Sequence, residues 1–186
     1  MRPTALLILV TAFVIAVSCN KKQETTDIIV EKPVEEAPSG PVKMHEYRSA
    51  TNVEWLGKNY RVLIDRHADT DLPVVTDEAT GAQYYDNRIS VEVMRSDSSL
   101  FFRREFVKDD FAPYVDASYI GKSALLGFVL EEIKGDDLQF AASVGAPDIL
   151  SDEYVPLIIT LSKMGKLKIE LDDRADMIAQ PEDEGV

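Results

Sequence analysis

The sequence ISVEVMRSDSSLFFRREF, residues 89–106, contains the pattern that determines the fold. Large apolar side chains alternate with polar ones in its first half, and the period of two returns in its second half. Alternation of this kind is typical of strands with one buried face. Ser96-Asp97-Ser98 separates the two halves, and these residue types tolerate the tight conformations of hairpin turns. The stretch therefore predicts two antiparallel strands joined by a hairpin, with Phe102 buried and Arg103 exposed.

The same period recurs along the rest of the chain. The apolar members of three further alternating runs are Tyr60, Val62 and Ile64; Leu157, Ile159 and Leu161; and Leu167, Ile169 and Leu171. Turn-forming residues follow or separate the runs at Leu56-Gly57-Lys58, Lys134-Gly135-Asp136-Asp137 and Met164-Gly165-Lys166. With the first hairpin these make four. They predict a mainly β domain, an antiparallel meander of about eight strands that forms a curled sheet or a sandwich.

One segment, residues 108–120, departs from alternation. Its apolar side chains recur every four residues, at Phe111, Val115 and Tyr119. Two aspartates open the segment, and acidic residues in a first turn favour the positive end of a helix. Pro113 is compatible with a helix near its start. We expect one short helix of two or three turns that ends at Gly121 and packs on the sheet.

The N-terminal segment has the layout of a secretory signal. Arg2 supplies the positive charge, residues 5–17 form the apolar stretch, and Ala16-Val17-Ser18-Cys19 closes it. The stretch is shorter than the about 20 residues needed to span a bilayer. Cys19 is the only cysteine of the chain, so it has no thiol to pair with.

The position of Cys19 makes the segment resemble a bacterial lipoprotein signal, in which the thiol is acylated and begins the mature protein. An ordinary secretory signal with a cysteine nearby by chance stays the alternative. Ala16 stands where the commonest lipoprotein signals have leucine, which bears on the efficiency of cleavage rather than on the class of signal. In such lipoproteins an aspartate after the cysteine often marks inner-membrane retention. Asn20 therefore implies the outer membrane, and the lysines at 21 and 22 imply its periplasmic face rather than the cell surface. The expected partner is the lipid bilayer, reached through acylated Cys19.

Composition divides the mature chain into three parts. Residues 20–42 are rich in proline and glutamate and predict a flexible tether. Residues 43–175 hold the alternating runs and predict the β domain. Residues 176–186 are polar and acidic and predict a solvated tail. The chain carries 33 acidic against 20 basic residues, a net charge of −13, which argues against nucleic acid as a partner because phosphate binding needs clustered cations.

Five segments carry a resemblance to uncharacterised lipoproteins of the Bacteroidetes, which share a conserved domain of unknown function. They are residues 55–60 (WLGKNY), 72–78 (LPVVTDE), 85–87 (YDN), 101–108 (FFRREFVK) and 154–157 (YVPL). The resemblance covers most of residues 51–171. It implies a secreted, anchored β domain, and it implies no activity, because that family has none assigned.

No catalytic, metal or cofactor site is recognisable in the residue pattern. The acidic segment 65–78 lacks the ligand spacing of a calcium loop, and His45 and His67 lie in different segments, unlike a zinc site. Ser143 lacks the first glycine of a nucleophile elbow, and a pair of carboxylates for glycoside hydrolysis cannot be assigned without their spacing. A ligand-facing aromatic surface stays an alternative to core packing for Trp55, Tyr84, Tyr85, Phe101 and Tyr119. We therefore expect calcium and zinc to leave the melting temperature unchanged and the purified domain to show no hydrolysis.

The sequence thus favours a non-enzymatic binding or accessory module of the cell envelope, with a protein partner. A periplasmic small-ligand carrier and an unrecognised hydrolase are the alternatives. A deep apolar pocket would favour the carrier, two carboxylates in one groove the hydrolase, and an exposed apolar patch the partner interface.

Overall fold

The computed structural model describes residues 40–174. The elements in chain order are β1 (Val42–Lys43), β2 (Tyr47–Trp55), β3 (Lys58–Ala68), β4 (Val75–Thr76), β5 (Gln83–Tyr85), β6 (Asn87–Arg95), β7 (Leu100–Phe106), a 3-10 helix (Lys108–Tyr114), α1 (Ala117–Ile120), β8 (Ala124–Lys134), β9 (Asp137–Gly145), β10 (Tyr154–Leu161) and β11 (Leu167–Leu171).

Two four-stranded antiparallel sheets form the body of the domain, and each is a meander. The first has the order β2-β3-β6-β7, and the second the order β11-β10-β9-β8. A small third sheet has the order β1-β5-β4. Its strands β4 and β5 belong to the connection from β3 to β6, and β1, which precedes β2 in the chain, is parallel to β5. The mainly β prediction is confirmed, and the sheets form a sandwich-like arrangement rather than a closed barrel.

All four predicted hairpin turns join paired strands. They connect β2 to β3, β6 to β7, β8 to β9, and β10 to β11. In the first, Leu56 and Gly57 both have positive φ, 55° and 71°, as a two-residue type I′ turn requires. Glycine adopts this conformation without penalty, which explains its place in the turn.

The core lies between the two main sheets and is built mainly from the predicted apolar rows of β3, β6 and β10. In the predicted row of β11, Leu167 and Ile169 are only partly buried and Leu171 is exposed.

An aromatic contact joins the two sheets: Phe106 of β7 lies 4.8 Å from Phe128 of β8, measured between ring centroids. Within the second sheet, Phe128 lies 5.3 Å from Phe140 of β9. Phe111 of the 3-10 helix stacks on the other side of Phe106 at 6.0 Å. The helical segment therefore packs on the sheet, as expected.

A β-bulge corrects the predicted faces of β7. Val93 pairs with Phe102, whereas Met94 pairs with Leu100. Phe101 is therefore the extra residue on β7. Its ring packs against Trp55 and Tyr60, at centroid distances of 5.1 and 5.9 Å. Phe102 lies opposite Val93 and packs against the core, but it is only half-buried, and Arg103 is exposed as predicted. Alternation alone cannot reveal an inserted residue.

The single predicted helix is two short ones. The 3-10 helix ends at Val115, whose extended backbone (φ −118°, ψ 142°) separates it from α1. Pro113 lies inside the first piece, where its missing N–H prevents a continuous α-helix. Asp116 then caps α1 by accepting a hydrogen bond from Ser118 N–H at 2.8 Å. Gly121 follows α1 as its C-cap, as predicted.

Candidate functional site

An open cleft of about 550 Å³ lies where three segments meet. We call it the acidic cleft. Its walls are the turn at residues 77–79, the end of α1 with Lys122, and the loop of residues 146–153 between β9 and β10. The carboxylates that line it are Asp77, Glu78, Asp148 and Glu153.

Asp77 stabilises the turn at residues 77–80, and its carboxylate is not suited to acid–base chemistry in the cleft. Its carboxylate accepts hydrogen bonds from the N–H and the hydroxyl of Thr80, at 2.8 and 2.7 Å. These bonds lower the pKa of Asp77, the hydroxyl contributing most. A general acid for glycoside hydrolysis needs a raised pKa, so Asp77 is unsuited to that role.

One cation faces these four carboxylates. Lys122 Nζ lies 2.8 Å from Glu78 Oε2, and this contact raises the pKa of Lys122. Tyr119 forms part of the same wall, and its pKa is raised first by burial and then by Glu153. Because the one lysine is already paired, the cleft carries a net negative charge toward solvent.

The loop beside the cleft holds the two most exposed large apolar side chains of the described residues. Ile149 is 93% exposed and Leu150 is 88% exposed. The loop is internally bonded, since Leu150 N–H donates to Asp148 Oδ1 at 2.9 Å and Ala146 N–H donates to Glu153 O at 3.0 Å. Adjacent exposed apolar side chains mark interaction sites more often than isolated ones do.

The base of this loop requires glycine. A Cβ atom added to Gly145 would lie 2.3 Å from Glu153 O, far inside normal contact distance. The glycine lets the strand ends approach closely, so the loop leaves the sheet as a compact projection.

A second feature is buried where β5 and β6 meet the edge strand β8. Asp86 Oδ1 accepts from Leu125 N–H at 2.9 Å, and Asn87 Nδ2 donates to Leu125 O at 2.7 Å. Arg66 donates to Leu126 O. The Tyr47 hydroxyl donates to Phe128 O and accepts from Phe128 N–H. These contacts, which we call the β8 seam, satisfy polar groups that an edge strand would otherwise leave open.

Lys108 neutralises the buried carboxylate of the β8 seam. Its Nζ lies 3.4 Å from Asp86 Oδ2 and donates to Ser123 O at 2.7 Å. The side chains of Asp86 and Lys108 are 4% and 13% exposed. Burial raises the pKa of Asp86, while its backbone hydrogen bond to Leu125 opposes the shift.

A small pocket of about 230 Å³ opens beside this pair, and we call it the ion-pair pocket. Three of the segments that carry the family resemblance contribute to it. Its lining includes Leu72 and Pro73, Asp86, and Val107 with Lys108. Residues far apart in the sequence thus meet at one place.

The carboxylates of the acidic segment 65–78 do not come together in one site. Asp65 pairs with Arg48 and lies 3.6 Å from His67 Nδ1, while Asp69 pairs with Arg88 at 2.6 Å. Across residues 40–174, no three His, Cys, Asp or Glu side chains are placed to hold a metal ion. His45 joins no such group, and Ser143 lies within β9.

The five aromatic residues considered for a ligand-facing surface do not share one surface. Trp55 is buried, with its ring 4.9 Å from that of Tyr60, and Phe101 packs against both. Tyr84 and Tyr85 are half-buried in β5, and Tyr119 alone of the five candidates lines the acidic cleft. The loop at 146–153 was missed, although its sequence offers a signal: an aliphatic pair between acidic residues, outside any alternating run.

Several predictions fall outside the described residues. These concern the signal segment with Cys19, most of the tether 20–42, and the tail 176–186. Within residues 40–174, no helix has the length and apolar character needed to cross a membrane.

A family model, described as a domain of unknown function (DUF4738), matches residues 27–169. No curated protein matches the chain significantly. The matched span starts inside the predicted tether and extends through all of the strands except the end of β11.

Proposed function

We propose that this chain, which belongs to the DUF4738 family of domains of unknown function, is a lipid-anchored binding module of the bacterial cell envelope. In this proposal it resembles the Bacteroidetes lipoproteins, and acyl groups on Cys19 hold it to the periplasmic face of the outer membrane. The folded domain docks a partner protein through the loop at residues 146–153. It is not an enzyme.

Lipid anchoring is supported by the order of charge, apolar stretch and small residues that ends at Cys19. Two or three acyl chains anchor a protein stably, at about 0.8 kcal/mol per buried CH₂. The acidic composition would not help binding to anionic headgroups, so the acyl chains carry the attachment.

Replacing Cys19 by serine should abolish the anchor. We expect labelling with a palmitate analogue to disappear and the protein to leave the membrane fraction, because serine cannot accept the thiol-linked lipid. Ser18→Ala is the matched control and should keep both properties. Continued labelling of Cys19→Ser would contradict the anchor.

Partner binding is carried by one observation, the exposure of Ile149 and Leu150 on an internally bonded loop. Leaving two large aliphatic side chains in water forgoes about 1.5–3 kcal/mol each of burial free energy. A partner surface would recover part of it. The neighbouring Asp148, Asp152 and Glu153 disfavour insertion among anionic headgroups and favour a protein surface with cationic groups.

The acidic cleft supports binding of a protein partner rather than transport of a small ligand or hydrolysis. The acidic cleft is open and lined by charges, whereas a carrier needs a mostly apolar enclosed site. Its Asp77 is held by Thr80 with a lowered pKa. The cleft adds negative charge beside the apolar loop, which suits a partner with an apolar contact and a basic rim.

Removing the exposed side chains should weaken the complex without affecting the fold. We expect the full-length protein with Ile149→Ser and Leu150→Ser to retain about a tenth or less of the bound partner, a loss of about 1.4 kcal/mol or more. The measurement is quantitative mass spectrometry of complexes captured from detergent-solubilised envelopes. Met164→Ser is the matched control, because Met164 is also 77% exposed but lies in the β10–β11 turn. Equal capture by both variants would contradict this interface.

A further inference from the structure

The ion-pair pocket has the construction of a small binding site, and none of its lining residues belongs to the loop at residues 146–153. Its walls are largely apolar. Its charged side chains are the buried pair and Asp109, which is exposed to solvent. The apolar lining residues are Leu72, Pro73, Val107 and Ile120.

The buried carboxylate has an acceptor to spare. Asp86 Oδ1 is occupied by two backbone N–H groups, those of Asn87 at 2.8 Å and Leu125 at 2.9 Å. Oδ2 has Lys108 Nζ at 3.4 Å, well beyond the about 2.7–2.9 Å of a charge-assisted hydrogen bond. An ionised carboxylate oxygen can accept two hydrogen bonds, so Oδ2 remains available to a donor in the pocket.

The ammonium group has a donor to spare. Lysine carries three N–H donors. One is given to Ser123 O at 2.7 Å, and one faces Asp86 Oδ2. Among residues 40–174 no third acceptor for Lys108 is present, which leaves one N–H for a ligand.

These spare groups specify the ligand. The buried pair is already neutral, and the charge of Asp109 is solvated because that side chain is exposed. A charged ligand would therefore bring an uncompensated charge to the buried pair. The ligand therefore has to be uncharged, with a donor and an acceptor on neighbouring atoms. A primary amide presents both side by side. The volume of about 230 Å³ lies below the about 300 Å³ at which ligand pockets usually begin, so the rest of the ligand is a short apolar body.

We infer that the ion-pair pocket binds a primary amide carried on a short apolar body, with the amide N–H donating to Asp86 Oδ2 and its oxygen accepting from Lys108 Nζ. Such a group can come from a free small amide or from a glutamine side chain of a peptide. The chemistry at the pair is the same in both cases.

The test uses ligand-observed NMR on the full-length protein in detergent. Isobutyramide is the free amide, and N-acetylglutamine methylamide carries the peptide-borne one. 3-Methyl-2-butanone, which has the shape of isobutyramide but a methyl group in place of the NH₂, is the control ligand. We expect saturable binding of isobutyramide and binding of the ketone at least about tenfold weaker. Tighter binding of the glutamine derivative would support the same chemistry with a peptide as the source.

A variant that fills the ion-pair pocket tests whether the amide binds there, while Asp86 and Lys108 stay unchanged. Gly121 lines the pocket and has ordinary helical backbone angles (φ −64°, ψ −28°), and an added Cβ would meet no atom within 4 Å. Gly121→Leu should therefore fold, which an unchanged circular dichroism spectrum would verify, and should lose isobutyramide binding by at least about tenfold. Gly40→Leu is the matched control, since a Cβ there is also unobstructed. The inference fails if wild-type protein shows no saturable amide binding, if amide and ketone bind equally, or if folded Gly121→Leu binds as wild type does.

Discussion

Replacing Asp86 by alanine should lower the free energy of unfolding by about 3–5 kcal/mol, the usual cost of leaving one member of a buried ion pair without its partner. Lys108 would keep a nearly buried ammonium group with no carboxylate beside it, and Leu125 N–H would lose its acceptor. Chemical denaturation with a spectroscopic readout measures the change.

Two further variants separate the charge from the packing at this site. Adding Lys108→Met to Asp86→Ala removes the unpaired charge and should recover part of the lost stability. Asp65→Ala breaks an exposed pair with Arg48 and should cost no more than about 1 kcal/mol. A cost for Asp86→Ala as small as that of Asp65→Ala would show that the β8 seam does not depend on this carboxylate.

Replacing Phe106 by alanine should also cost about 3–5 kcal/mol, because it removes a fully buried ring and leaves a cavity between the sheets. The ring contacts Phe111 and Phe128, so the variant loosens the attachment of the 3-10 helix and of β8 together. Phe102→Ala, at a half-buried position of the same strand, should cost less, and Arg103→Ala should stay within about 0.5 kcal/mol. Equal losses for Phe102→Ala and Phe106→Ala would contradict the half-buried position of Phe102.

Local patterns along the chain were sufficient to predict the sheets. The alternation around Ile89, Val91 and Val93 and the turn residues between runs depend on neighbours in sequence, and both appear in the structure as predicted. The bulge that turns Phe101 toward Trp55 depends instead on how two strands pair, and pairing is a property of the folded sheet. The small sheet of β1, β4 and β5 is absent from the sequence prediction for a different reason. Its strands are two or three residues long, which is too short to show an alternating pattern.

The sites depend on contacts between distant segments. Asp86 and Lys108 are ordinary residues in sequence, and their meeting beside β8 becomes visible only when β5, the 3-10 helix and the edge strand are brought together. The loop with Ile149 and Leu150 has a local signal, but exposure cannot be read from residue type. Cys19 is the opposite case, because the pattern that predicts its acylation is entirely local in sequence and lies outside the described residues.

Site-specific photo-crosslinking in living cells tests the partner interface most directly. A photoreactive amino acid placed at Ile149 of the full-length protein should yield one discrete crosslinked species in the envelope fraction. The same amino acid at Met164 should not yield it, and a probe at Ile149 should lose it when Leu150 is also replaced by serine. A crosslinked species of equal yield from both positions, or none from position 149, would contradict the claim that this loop docks a partner protein.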